Sequence, residues 1–263
     1  MKDFKFLKKY GQNFLSDKNL LRAIVQDAGV TDSDTVLEVG PGAGALTEPL
    51  VESAGKVVSV EIDDRLIPTL NEKFANSDNF TLVHSDIMKL TGQEVEELVG
   101  KNFKVVANIP YYISTQLIMR FLESEPRAKS ITVMVQKEVA ERLTATAGDK
   151  DYGVISVAVA LYGRARITRQ VNRKMFTPVP DVDSAVVTVE VDENKDCDIK
   201  SVLKLVRSAF AMRRKTLRNN LLSGYTTAEK FDKAIQEMGL DIAVRGERLT
   251  PEQFITLHAK LNQ

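Results

Sequence analysis

The sequence predicts an open α/β sheet of mostly parallel strands, followed by a small all-helical domain. Three observations carry that reading. Short apolar runs at 35–39, 57–61, 80–84 and 103–107 alternate with longer connecting segments, the arrangement expected of βαβ units around a parallel sheet. Each run meets a glycine or a polar side chain at its carboxyl end: Gly40, Glu61, Asp86 and Asn108 in turn. Beyond a polar, acidic stretch at 191–199 the apolar period becomes helical and stays so. The expected division is 1–192 for the sheet domain, with a basic N-terminal segment, and 193–263 for the helical one.

The whole-chain properties bound the function. The 263 residues are 43% hydrophobic and 27% charged, enough apolar material for a large core with a soluble surface. No run of 18 apolar residues suggests a membrane span, and the N-terminal lysines precede no continuous apolar segment of the kind a secretory signal needs. One cysteine, Cys197, and two histidines leave no internal disulfide and no Cys/His metal site to expect. A reducing, cytoplasmic setting follows. Lysines plus arginines equal aspartates plus glutamates at 36 each, which excludes a uniformly basic nucleic-acid coat. The basic residues are nevertheless segregated. Arg164, Arg166, Arg169, Arg173 and Lys174 occupy a stretch free of acids, and so do Lys204, Arg207, Arg213, Arg214, Lys215 and Arg218. Such stretches can form a phosphate-binding face on a neutral protein; an ordinary solvated surface is the alternative.

Taken in order, residues 1–16 are basic and aromatic and end at Ser16-Asp17, a helix start. Leu20, Leu21, Ile24, Val25 and Ala28 give one apolar helical face that Gly29 stops. The first strand, 35–39, runs into Gly40-Pro41-Gly42-Ala43-Gly44 and a helix from about Leu46. Alternate glycines there let backbone approach a ligand closely. The second strand ends on Glu61, placed to accept from ribose hydroxyls; this pair of signals suits NAD and S-adenosylmethionine (SAM) alike. After the third strand, Asp86 offers an acceptor for an adenine amine beside the Ile87 N–H, or else closes an Asx turn.

The fourth strand delivers Asn108-Ile109-Pro110-Tyr111. Asn108 brings a side-chain carbonyl, Pro110 a carbonyl on a fixed φ, and Tyr111 a flat face. Two acceptors and a stacking plate suit an amine on a heterocycle. A strand-ending turn with a core tyrosine is the plainer reading of those four residues alone. A helix over 113–123, a strand over 130–135, a helix over 136–143 and a further apolar strand over 154–161 follow. Prolines make 176–180 extended, 183–189 is the last strand, and helices are expected over 202–210, 217–222 and from Thr250-Pro251 onward.

With these stretches in place, the chain resembles the ribosomal RNA adenine dimethyltransferase family, in its small-subunit (16S) branch, over nearly its full length. The resemblance rests on Tyr10-Gly11-Gln12-Asn13-Phe14-Leu15, Glu38-Val39-Gly40-Pro41-Gly42-Ala43-Gly44, Glu61-Ile62-Asp63, Asn108-Ile109-Pro110-Tyr111 and the stretch from Phe176 to Ser184. It implies a Rossmann-like SAM-dependent methyltransferase sheet with a helical C-terminal domain. It also implies a SAM site lined by Asn13, Leu15, Gly40, Gly42, Glu61, Ile62, Asp86, Ile87 and Asn108, with Glu61 on the ribose and Asp86 on the adenine amine. The target adenine would lie against Asn108, the Pro110 carbonyl and Tyr111, with Phe176 stacking on its other side. The implied reaction is N6,N6-dimethylation of two adjacent adenosines near the 3′ end of 16S rRNA, within an immature small subunit. A cytoplasmic monomer without a metal is expected to do this, with Arg207, Arg213, Arg214, Lys215 and Arg218 holding rRNA phosphates. The rival readings are a large-subunit rRNA methyltransferase of the same family, a non-catalytic assembly factor and an NAD-dependent dehydrogenase.

Overall fold

The computed structural model describes residues 14–192 and 198–262. Asn13 and Cys197 lie outside them. The chain groups into two compact units: residues through Ala140 with Ala165–Val191, and Glu141–Arg164 with residues from Asp192 onward.

The first unit contains β1 (Phe14–Leu15), α1 (Lys18–Asp27), β2 (Thr35–Val39), α2 (Thr47–Ser53), β3 (Lys56–Glu61), α3 (Ile67–Lys73), β4 (Phe80–His84), α4 (Gly92–Val99), β5 (Phe103–Asn108), α5 (Ser114–Glu123) and β6 (Ser130–Gln136). After α6 (Lys137–Thr144) and α7 (Val154–Tyr162), the chain adds β7 (Gly163–Val171), β8 (Phe176–Thr177) and β9 (Ser184–Val191). The large sheet has the order β4-β3-β2-β5-β6-β9-β7, and β1 pairs with β8 in a separate antiparallel ribbon. Neighbours from β4 through β6 run parallel, and β9 runs antiparallel to β6.

The burial of these strands follows from that topology. Val36, Val57, Val58, Val105 and Val106 are wholly buried, because helices cover both faces of a parallel sheet and its strands become continuous apolar runs rather than alternating ones. Each such side chain contributes about 1.5–3 kcal/mol relative to exposure. β4, at the edge, is only half-buried. The helices begin where local chemistry dictates. The Asp17 carboxylate accepts from Leu20 N at 2.9 Å to open α1. Thr91 and Glu94 form a reciprocal capping box on α4, as Thr250 and Gln253 do on α11 (Pro251–Leu261).

The second unit is built from α7, α8 (Ile199–Ala209), α9 (Leu217–Leu221), α10 (Ala228–Glu237) and α11. Its core includes Leu205, Val206, Leu217, Leu221, Phe231, Phe254 and Leu257, all essentially without solvent exposure. Residues 154–161, expected as a strand, are helical. A run that is apolar all round looks the same as a buried strand or a buried helix, and here Val157, Ala158, Val159, Leu161 and Tyr162 are all buried. The start of α7 is held by Ser156, whose Oγ accepts from Gly153 N at 3.1 Å and donates to Arg142 O at 2.6 Å. This helix packs on α8 and α11, so Glu141–Arg164 groups with the helical unit, a feature absent from the division at 192. The basic stretch 164–174 forms most of β7 and the turn after it. Part of its charge is spent internally: Arg169 chelates Asp27 at 2.7 and 2.9 Å, and Arg166 lies 3.6 Å from Glu190.

Candidate active site

β2 has β3 on one side and β5 on the other, so the order of strands reverses there. In an open parallel sheet the crevice outside the carboxyl ends at such a reversal is the place for a ligand. A cavity of about 230 Å³ opens at this point. Leu15, Gly40, Gly42, Glu61, Ile62, Asp86, Ile87, Asn108, Pro110 and Tyr111 all line it. The structure therefore brings together nearly every described residue that the sequence singles out for cofactor and target.

The loop after β2 is shaped for close approach. Gly40 and Gly42 have φ of +67° and +59°, a left-handed conformation that favours glycine. A Cβ at Gly40 would project into open space, so the bare backbone there leaves room for a ligand. Gly44 is required for another reason. A Cβ on it would come within 2.7 Å of the Phe74 ring. The Gly44 carbonyl also accepts from Lys73 Nζ at 2.8 Å.

Glu61 closes the loop from β3. Its Oε1 accepts from Ile62 N at 2.9 Å and Asp63 N at 2.8 Å, and its Oε2 accepts from Gly42 N at 3.1 Å. A carboxylate has about four acceptor positions, so Oε2 keeps one for a hydroxyl donor in the cavity. Burial pushes the Glu61 pKa up against these three backbone hydrogen bonds.

Glu38 is the group that sequence reading left unassigned. It is buried in β2 and lines the same cavity. Its Oε2 accepts from Ser59 Oγ at 2.6 Å and Thr47 Oγ1 at 2.7 Å, while Oε1 is buried without a hydrogen-bond partner among the described residues. Burial raises its pKa to about 7, against the hydrogen bonds from Ser59 and Thr47 and with help from the charge of Glu61. The signal was present in the sequence as a lone acid inside an apolar strand.

On the β4 side, Asp86 Oδ1 accepts from Met88 N at 3.0 Å, so the Asx turn and the place in the cavity wall coexist. The carbonyls of Met88 and Leu90 accept from the Arg120 guanidinium of α5, which ties this loop to the helix that follows the Asn-Ile-Pro-Tyr turn. On the β5 side, Asn108 stands at the strand end opposite Met134 of β6. Pro110, with φ −56°, opens a 3₁₀ turn, Tyr111–Ile113, and its carbonyl accepts from Ile113 N at 3.2 Å. One lone pair of that oxygen remains. The Tyr111 hydroxyl lies 2.7 Å from Ser184 Oγ, and burial raises its pKa, so it stays a phenol.

Phe176 stands apart from these residues. It is 2% exposed and packs in the core with Leu15, Leu21 and Val171, and it does not line the cavity. An apolar ring on a strand beside Leu15 is more stable in that core than at a polar rim. In the helical unit Arg207, Arg213, Arg214 and Lys215 are exposed. Arg213 donates to Lys150 O at 2.8 Å. Arg218 is held by Asp232 in a two-pronged pair at 2.8 and 3.0 Å. No group of three or more metal-ligating side chains occurs among the described residues, and no described helix is long and apolar enough to cross a membrane.

The cavity walls thus offer glycine backbone, a carboxylate with a spare acceptor position, an Asp-bearing turn, and an amide beside a proline carbonyl and a tyrosine. That set can hold a ribose, an aminopurine and a second planar amine side by side. Comparison with known proteins gives the same direction. The family model described as ribosomal RNA adenine dimethylase matches residues 3–263. The chain is 41% identical to the ribosomal RNA small subunit methyltransferase A of Clostridioides difficile, covering 99% of this chain and 92% of that protein. It is 43% identical to the protein of that name from Lachnoclostridium phytofermentans, covering 97% and 91%. Among solved structures, a dimethyladenosine transferase from Plasmodium falciparum superposes with a TM-score of 0.82 at 26% identity, over 95% of this chain and 97% of that one. The 23S rRNA methyltransferase ErmE superposes with a TM-score of 0.76 at 27% identity, over 95% and 100%.

Proposed function

The chain belongs to the ribosomal RNA adenine dimethylase family, and from that premise we propose the reaction and the residues that carry it. The protein transfers methyl groups from SAM to N6 of two adjacent adenosines near the 3′ end of 16S rRNA, giving N6,N6-dimethyladenosine. Its substrate is rRNA within an immature small subunit, met by a monomer in the cytoplasm. The observation that carries the assignment of residues is the sharing of one cavity by Gly40, Glu61 and Asp86 on one side and Asn108, Pro110 and Tyr111 on the other.

The residues present fit SAM. Glu61 Oε2 has an acceptor position for a ribose hydroxyl, Asp86 and Ile87 are placed for an adenine edge, and the bare Gly40 backbone leaves space that a side chain would fill. When bound, SAM supplies a methyl group already made electrophilic by its sulfonium, so no nucleophilic side chain or metal is required of the protein. The protein's work is on the amine. Adenine N6 shares its lone pair with the ring. In the first transfer acceptors at Asn108 Oδ1 and Pro110 O take the two N6 hydrogens, and in the second one of them takes the remaining hydrogen; either way they favour a tetrahedral nitrogen and free that lone pair. Tyr111 sets the plane of the base, and its own tilt is held by Ser184. This is catalysis by positioning. The nitrogen becomes acidic as it is alkylated, so a weak acceptor is enough to take its proton. The target base must leave its stack to enter the cavity.

Mass spectrometry of 16S and 23S rRNA after incubation of unmethylated subunits with SAM and the protein tests this reading. Two dimethylated adenosines near the 3′ end of 16S rRNA are expected; modification of 23S rRNA instead, or no methyl transfer, overturns it.

A further inference from the structure

Tyr112 is the large aromatic side chain that the described residues leave most open to solvent, at 63% exposed. It is not remote from the chemistry: it lines the same cavity as Asn108 and Pro110. Its hydroxyl makes no hydrogen bond with any described residue, unlike that of Tyr111 beside it. Both tyrosines belong to the 3₁₀ turn Tyr111–Ile113, capped by Pro110 and closed by Ile113 N donating to Pro110 O, with Ser114 Oγ donating to Tyr111 O at 2.9 Å. Successive side chains on a 3₁₀ turn diverge by about 120°. The turn that aims Tyr111 inward therefore turns Tyr112 outward on a backbone with little freedom.

A tyrosine so placed forgoes the stabilisation that burial of its ring would bring. The proposed reaction supplies a partner for it. The two target adenosines are adjacent, and whichever one enters the cavity leaves the other with an unstacked face. Proteins commonly cover such faces with aromatic rings. We propose that the exposed Tyr112 ring at the cavity mouth stacks on the nucleobase next to the one being methylated, so that the two adenosines are bound as a pair. This rests on the reading of the reaction given above. It assigns Tyr112 a role in binding substrate, distinct from the orientation of the reacting amine by Asn108 and Pro110.

The test uses unmethylated small subunits, SAM, and the variants Tyr112→Ala, Tyr112→Phe and Tyr112→Trp in the full chain. Tyr112→Ala is expected to raise the apparent KM for subunits about tenfold, equivalent to about 1.4 kcal/mol and within what one base–aromatic stack contributes. The KM for SAM and the melting temperature should not move with it. Phe and Trp should recover most of the lost affinity, since the ring and not the hydroxyl is the contact. A second substrate, reconstituted with an abasic site beside the target adenosine, completes the comparison. The natural protein should lose the same factor on it, and Tyr112→Ala should lose little more. Natural subunit KM in Tyr112→Ala, failure of Phe and Trp to recover affinity, or an undiminished penalty on the abasic substrate overturns the proposal. If the unaltered protein transfers no methyl group to subunits, the underlying reading fails and this role fails with it.

Discussion

The Tyr111 hydroxyl and Ser184 Oγ lie 2.7 Å apart, joining the turn after β5 to the first residue of β9. Ser184 is wholly buried, so its hydroxyl has no bulk water to take the place of this partner. Ser184→Ala is expected to cost about 1 kcal/mol of stability and to lower kcat more than it changes the KM for SAM, because the freed ring no longer fixes the plane of the target base. Denaturant unfolding and steady-state methyl transfer read the two effects. A Tyr111→Phe, Ser184→Ala double variant should lose less than the sum of the single losses; additive losses would mean that the two hydroxyls act independently.

Asn108 and Glu61 should fail in different ways. Asn108→Ala removes one of the acceptors proposed for the N6 hydrogens, and kcat is expected to fall about 100-fold or more with the fold retained by circular dichroism. Glu61→Ala releases three backbone N–H donors, those of Gly42, Ile62 and Asp63, and removes the acceptor proposed for the ribose. SAM binding by calorimetry should weaken about 10- to 100-fold, the range for a lost charged hydrogen bond. Normal turnover by Asn108→Ala would remove it from the reaction.

The division between what was legible in sequence and what was not has physical causes. β2, β3, β4, β5 and β6 were legible because strands buried on both faces are short apolar runs, and their ends were marked by Gly40, Glu61, Asp86 and Asn108. The parallel direction of those strands then puts all four groups at one edge, which is why the cavity wall could be read before the fold was known. α7 was misread because it is apolar on every side and has no period to detect. α3, α4 and α10 have no counterpart among the expected elements, although the Thr91–Glu94 capping box marks α4 and Thr227 caps α10. Glu38 reads in sequence as part of a glycine motif, and Phe176, which the resemblance sets against the target base and which as a lone aromatic residue reads as core, packs in the core. Arg218 reads in sequence as one of a row of cations, and the pairing with Asp232, fourteen residues on, shows only in the fold.

Glu38 makes stability depend on pH. Its pKa is raised from the ordinary 4.5 to about 7 in the folded protein, chiefly by burial. Between those values the folded protein holds a proton that the unfolded chain has released, so the contribution of this group is complete below about 4.5 and is lost as pH rises toward 7. The loss is on the order of 3 kcal/mol. The partners Ser59 and Thr47 donate to Oε2 in either state. Glu61 faces Glu38 with like charge, and Lys73 with opposite charge. Unfolding free energies from pH 5 to 8 should therefore fall more steeply for the natural protein than for Glu38→Gln, whose side chain does not titrate. Parallel curves for the two proteins would place the ionisation of Glu38 at its ordinary value.

The exposed cations of the helical unit predict a salt dependence rather than a sequence preference. Arg213, Arg214 and Lys215 are exposed on the segment between α8 and α9, and each phosphate they neutralise releases condensed counterions from the RNA. Replacing all three with Gln should weaken binding to small-subunit rRNA and reduce the slope of log affinity against log salt by about 2 to 3 units. SAM binding should not change, since none of the three lines the cavity. Arg218 is a useful contrast. Its guanidinium is engaged by both Asp232 oxygens, so Arg218→Gln should alter the salt slope less than a substitution at Arg214 and lower the melting temperature more. Binding measured from about 50 to 300 mM salt, over which the Debye length falls from about 14 to about 6 Å, separates the cases. An unaltered slope in the triple variant would move the phosphate contacts to other cations, and the acid-free stretch along β7 would be the next surface to substitute.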